Sequence, residues 1–171
     1  MSPRGRMVFW VLLLLGGALL GVWLDLRLFP ALFKNPFWHL ASLLLGLGLL
    51  GRVRRAAATV GRVLARYGRE GELPRFETNR LVRKGPYACM RHPMHLAFLF
   101  FPLALALILG SPSFILFVWP AEVLLMLFLI KTVEEPEALR KFGDEYRRYM
   151  AEVPAFNLRP DCLKRLFEEE A

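Results

Sequence analysis

The chain has 171 residues, 56% of them hydrophobic, and a formal net charge of +8. Soluble domains of this size run at roughly 45–50% apolar, so an excess gathered in blocks argues against an ordinary water-soluble fold. The charge suits nucleic acid or a membrane surface. Its placement at the ends of the apolar blocks makes it a matter of membrane topology and argues against nucleic acid.

A hydrocarbon core of roughly 30 Å takes about 20 helical residues to cross, and four segments are expected to do so. The first covers about residues 7–24, with Trp10 and Trp23 near its ends, where interfacial aromatics are favoured. Arg4 and Arg6 precede it as in a signal peptide, but the apolar run is too long for one and no polar segment follows Ala18. It reads as an uncleaved span. The second covers about 37–52, starts at Phe37 and Trp38, and is short enough that its helix should continue past Gly51.

Residues 52–69 form a basic amphipathic helix on a wheel of about 100° per residue. Val53, Ala56, Ala57, Val60, Val63, Leu64 and Tyr67 share one arc, opposite Arg52, Arg54, Arg55, Arg62, Arg66 and Arg69. Such a helix lies on anionic lipid headgroups or extends span two along its neighbours. Gly71 to Lys84, with Pro74, reads as a loop. Spans three (about 94–109) and four (113–131) form a hairpin through the turn GSPS, Gly110 to Ser113.

The tail turns helical again, with Leu139, Phe142, Tyr146, Tyr149 and Val153 at helical spacing and Pro136 near a helix start. Pro154 and Pro160 end that helix, and Asp161 is placed to cap a last one running to Glu169. The expected fold is an all-α integral membrane protein of four transmembrane helices in one domain, 1–171.

Eleven Lys and Arg lie between spans two and three, two between spans one and two, none in the turn 110–113, and eight from Lys131 onward. Under the positive-inside rule both termini and the middle segment face the cytoplasm. Cys89 and Cys162 form no CxxC pair and read as free, reduced thiols.

Two polar clusters meet the membrane on that face, and the hairpin should make them neighbours. One is GPYACMRHPMH, Gly85 to His95; the other is Lys131 to Glu145. Glu134 and Glu135 suit a cationic group, while Arg91, His92 and His95 suit a carboxylate or hydroxyls. A zwitterion such as S-adenosylmethionine satisfies both sets. On composition alone the two glutamates read first as first-turn acids that complement a helix dipole. His92 and His95 lack a clear third partner for a metal, so none is expected. Glu122, within span four, is costly at membrane depth and therefore a functional candidate, lining a substrate tunnel or pairing with another span.

LVRKGPYACMRHPMH (81–95), followed after the hairpin by EEPEALRKFGDEYRRYMAEVP (134–154), resembles the isoprenylcysteine carboxyl methyltransferase and phospholipid methyltransferase superfamily. The resemblance covers about residues 80–155. It implies a membrane enzyme that transfers a methyl group from S-adenosylmethionine, on the cytoplasmic side, to a membrane lipid or lipidated acceptor. The cofactor-binding segments would be 79–97 and 131–155. Matching cofactor positions are Leu81, Val82, Tyr87, His92, Pro93, Glu134 and Glu135. Tyr87 and its apolar neighbours would wall the adenine, and His92 and Glu134 would hold the polar parts. Arg91 completes the RHP signature.

His95 stands where the family has tyrosine, and Ala97 where it has glycine. Ile130, beside Lys131, stands where the carboxyl methyltransferases place a substrate-contacting arginine, which weakens a prenylcysteine carboxylate as acceptor. The family's proline after VP is missing; Pro160 comes later. On this reading the catalytic candidates are Arg91, His95 and Glu134. His95 is a base for an amine acceptor, given an ordinary pKa near 6.5. Glu122 and Lys131 are substrate-side candidates. Two alternatives stand beside it: an NADPH-dependent enzyme like the sterol reductases, for which the chain is short, and a non-enzymatic small membrane protein.

Overall fold

Prolines punctuate the helices. Pro36, Pro93, Pro102 and Pro160 each fall in the first turn of a helix, in Pro36–Tyr67, Pro93–Leu99, Phe101–Leu109 and Pro160–Lys164. There a missing N–H costs nothing and the ring presets φ. Asn35 adds a side-chain cap, its Oδ1 accepting from the backbone N–H of Phe37 (2.9 Å) and Trp38 (3.3 Å). These features come from a computed structural model that describes residues 3–72 and 78–168. Pro74 in the expected loop and Glu169 at the expected helix end lie outside the described residues.

Among the described residues the secondary structure is helical, without strands. Three helices are long and apolar enough to cross a membrane: Val8–Leu28, Pro36–Tyr67 and Phe114–Glu152; the apolar stretch Pro93–Leu109 is shorter. Span two and the basic amphipathic helix are one continuous helix, which stops at Tyr67, before Arg69. The stretch expected as span three is broken at Phe100, ahead of Pro102. Asp161 does not cap the last helix. Arg159 holds the N-cap position, and Asp161 lies in the first turn.

Pro136 falls in the first turn of the α-helix Glu135–Glu152, as expected, but helical structure runs into it without a break from Phe114. A proline inside a helix lacks its N–H and presses its ring on the carbonyl four residues back. Both internal prolines here, Pro120 and Pro136, follow a turn that has widened to π-helical spacing, Phe114–Val118 and Ile130–Glu134. The widening moves that carbonyl away from the ring and adds one residue to the turn. The same helix breaks again at Gly143 (φ 56°, ψ −130°).

The chain divides into two compact units. One comprises the residues up to Gly51 with Leu99–Met126; the other comprises Arg52–Phe98 with the residues from Leu127 on. In the first unit, Gly17 and Gly21 form a GxxxG pair, whose missing side chains let helices approach closely. A Cβ at Gly17 would stand 2.8 Å from Val118 Cγ1, and one at Gly21 would stand 3.0 Å from Phe114 Cβ. Phe114 and Ala106 are fully buried there.

The GSPS turn is tied down by Asp25, fully buried, which accepts hydrogen bonds from Ser111 Oγ and from Ser113 N (2.7 Å). Gly110 turns left-handed (φ 65°), and a Cβ there would meet the His39 ring at 2.3 Å. Many apolar side chains of this unit point outward: Leu19 is 75% exposed, Phe37 79% and Leu124 67%. Apolar area of that extent needs lipid around it.

The second unit packs Val53, Ala56, Val60 and Val63, the buried arc of the amphipathic helix, within a core that also contains Met90, Leu96, Tyr146 and Tyr149. Cys89 and Cys162 are not free thiols here. They are joined in a disulfide with Cα atoms 5.6 Å apart, inside bonding reach. The turn Gly85–Ala88 ends at Cys89, and the last helix carries Cys162. A separation of 73 residues left no spacing signal for that pairing.

Candidate functional site

The RHP segment is fixed first by its backbone. The N–H groups of Arg91 and His92 donate to the carbonyls of Pro154 (3.0 Å) and Ala155 (3.1 Å). The VP end of the second block is thereby laid against the first. The Tyr149 hydroxyl donates to the Tyr87 and Met90 carbonyls, bridging the same two blocks from the helix side.

Arg91 then spends its planar fork on this junction. Its Nε donates to Glu135 Oε1 at 3.1 Å, its Nη2 to the same oxygen, and its Nη1 to the carbonyls of Met150 (3.3 Å) and Val153 (2.5 Å). Both side chains are largely buried, 9% and 14% exposed. Lysine has no planar fork to match these acceptors. His92 Nε2 lies 3.2 Å from Glu135 Oε1. The His95 ring meets His92 edge-on with centroids 5.4 Å apart, and Phe156 covers His92 at 6.0 Å.

Burial lowers the His92 pKa below its ordinary value, and the nearby Arg91 charge acts the same way; Glu135 and Glu134 oppose them without prevailing. His92 is therefore a neutral imidazole near pH 7. Burial raises the Tyr87 phenol, so it too stays uncharged.

Beside this junction, still within the second unit, lies a cavity of about 570 Å³ lined by Tyr67, Leu81, Val82, Phe142 and Glu145, with Asn79, Arg80, Arg83 and Lys84 on its polar side. Small-molecule sites typically span roughly 300–1,000 Å³. Lys84 Nζ stands 4.5 Å from the Tyr67 ring centroid, so the aromatic wall already faces a cation.

The structure brings Arg91, His92, His95 and Glu135 together, and Leu81 and Val82 line the cavity. Tyr87 and Pro93 are buried and do not line it. The carboxylate on Arg91 and His92 belongs to Glu135 rather than Glu134, which is half-buried one residue earlier; Lys131 is exposed. Glu122 falls in the first unit, at a different cavity. Among the described residues, no three His, Cys, Asp or Glu side chains converge as metal ligands. Tyr67 lies outside the segments expected to bind the cofactor, while Asn79 and Glu145 fall within them without being singled out. Tyr67 sits on the buried arc of its helix, and Glu145 on FGxxY, so only the joining of those two patterns would have found them.

The profile of the phospholipid methyltransferase family matches residues 39–145, which takes in most of the chain. The chain belongs to that family. Comparison with curated proteins and with solved structures found no match. Methyl transfer in a membrane, with lipid as the class of acceptor, follows from membership. The matched stretch includes the RHP segment, the cavity-lining residues and Glu135, and ends at Glu145.

Proposed function

We propose that the chain methylates a lipid or lipid-like acceptor using S-adenosylmethionine held by the second unit. What supports this most is a meeting of distant residues. Leu81 and Val82 from the first sequence block share one cavity with Phe142 and Glu145 from the second. The residues there fit the cofactor: aromatic and aliphatic walls for a base, and one acid, Glu145, for an ammonium group. Tyr67, Leu81, Val82 and Phe142 would hold the apolar part and Glu145 the cationic part; Glu134, outside that lining, is taken as a cofactor residue from the family match. Bound, the cofactor supplies a methyl group on a positively charged sulfur.

The residues of the chain align the acceptor and exclude water, which is most of what such a displacement asks of a protein. Arg91 acts as a positioning residue, through Glu135 and the Met150 and Val153 carbonyls. Tyr87 and Pro93 support the loop from beneath. His95 takes the proton when the acceptor is an amine, and exposed Lys131 meets an anionic headgroup. On this reading the broken Pro93–Leu109 stretch serves as a fourth span. The basic residues of segments 52–91 and 131–165 put the site and both termini on the cytoplasmic side.

Titration of the purified protein in detergent with S-adenosylmethionine, its demethylated product and NADPH tests the reading. The first two should bind and NADPH should not. Glu134→Ala should abolish cofactor binding without unfolding the protein; unchanged affinity in that variant would refute the proposed site.

A further inference from the structure

The first unit holds a second cavity, of about 450 Å³, lined by Leu12, Gly16, Leu20, Phe117 and Ala121 together with Glu122. Glu122 is the one charged residue of that lining. It is 5% exposed, and neither carboxylate oxygen has a hydrogen-bond partner among the described residues. Gly17 makes room for it: a Cβ there would stand 3.1 Å from Glu122 Oε1. A carboxylate within a membrane-spanning helix is costly unless something pairs with it, and nothing described in the chain does. A partner is missing, and the cavity beside the carboxylate has room for one.

We infer that this cavity binds an amphiphilic amine from the bilayer, its ammonium on the Glu122 carboxylate and its apolar body along the leucines and Phe117. The walls restrict the ligand further. No lysine or arginine lines the cavity, so a phosphate-bearing headgroup would enter without a partner for its own charge. The ligand is an amine with an apolar tail and no phosphate. This site goes beyond the methyl-transfer reading, and its occupancy is measured without cofactor.

The full chain in phosphatidylcholine nanodiscs would be photolabelled with a diazirine-bearing dodecylamine and, separately, with the matching dodecanol. Adducts should fall within residues 12–24 and 117–125, with the amine labelling more strongly by at least about tenfold, as one charge-assisted hydrogen bond implies. Unlabelled dodecylamine should compete. Glu122→Gln should bring amine labelling down to the alcohol's level. Equal labelling by amine and alcohol in the unaltered protein, or an undiminished amine preference in Glu122→Gln, overturns the proposal. Should Glu122→Gln fail to fold, Gly16→Leu decides. A Cβ at Gly16 meets nothing within 4 Å, so the new side chain can enter the cavity while Glu122 stays. Loss of amine labelling supports the site, and retention refutes it.

Discussion

Arg91 is the residue on which the second unit turns, because its guanidinium holds Glu135 and two carbonyls of the helix end together. Removing one member of a buried charge pair strands the other, at a cost of about 3–5 kcal/mol. Glu135→Ala should therefore lower stability by about that much, read from denaturant or thermal melts in detergent. Replacing both, as Arg91→Met with Glu135→Leu, should cost clearly less than the sum of the single changes. Additive losses would show that the pair contributes only through separate contacts.

His92 makes a pH prediction. Its imidazole binds a proton more weakly folded than unfolded, so between the two pKa values the unfolded chain holds more protons. Stability should then be full above about pH 6.5, the unfolded value, and fall as pH drops from there through the lower folded value. Melting temperatures from pH 8 to 5 should show that decline, and His92→Gln should flatten it. The residue types of this site were legible in RHP and EE. Which glutamate faces Arg91 was not, because sequence spacing assumes an unbroken 3.6-residue period.

At the scale of elements, that period fails at Ile130–Glu134. A π-helical turn holds one residue more than an α-turn, so Glu135 takes the face that regular counting assigns to Glu134. Deleting Thr132 should tighten the turn to α and keep the downstream face, but press the Pro136 ring on a carbonyl at a cost of about 3 kcal/mol. Combined with Pro136→Ala, the deletion should recover most of that loss in a thermal melt. A double variant no more stable than the deletion alone would show that the turn has another cause. The long apolar helices and the buried arc of Val53, Ala56, Val60 and Val63 were legible, since hydrophobic period and length set them directly. The GSPS turn was legible too; its anchor, Asp25, was not. A lone acid near the end of an apolar run gives no hint that two serines 86 and 88 residues later will bond it.

At the scale of the whole molecule, the chain is a membrane methyltransferase by family, and the side of the membrane on which its second unit works is a proposal from charge. The Cys89–Cys162 bond gives that proposal a chemical readout. A cytosol keeps accessible thiols reduced, whereas a periplasm or an organelle lumen oxidises them. With the second unit on the cytoplasmic side, cells quenched with an alkylating reagent should yield both cysteines alkylated, and the bond should form only after lysis in air. Mass spectrometry of the Cys89 and Cys162 peptides separates the two states. A fully bonded pair in quenched cells would count against the cytoplasmic placement. Two cysteines that the sequence made look inert thus report which side of the membrane the site faces.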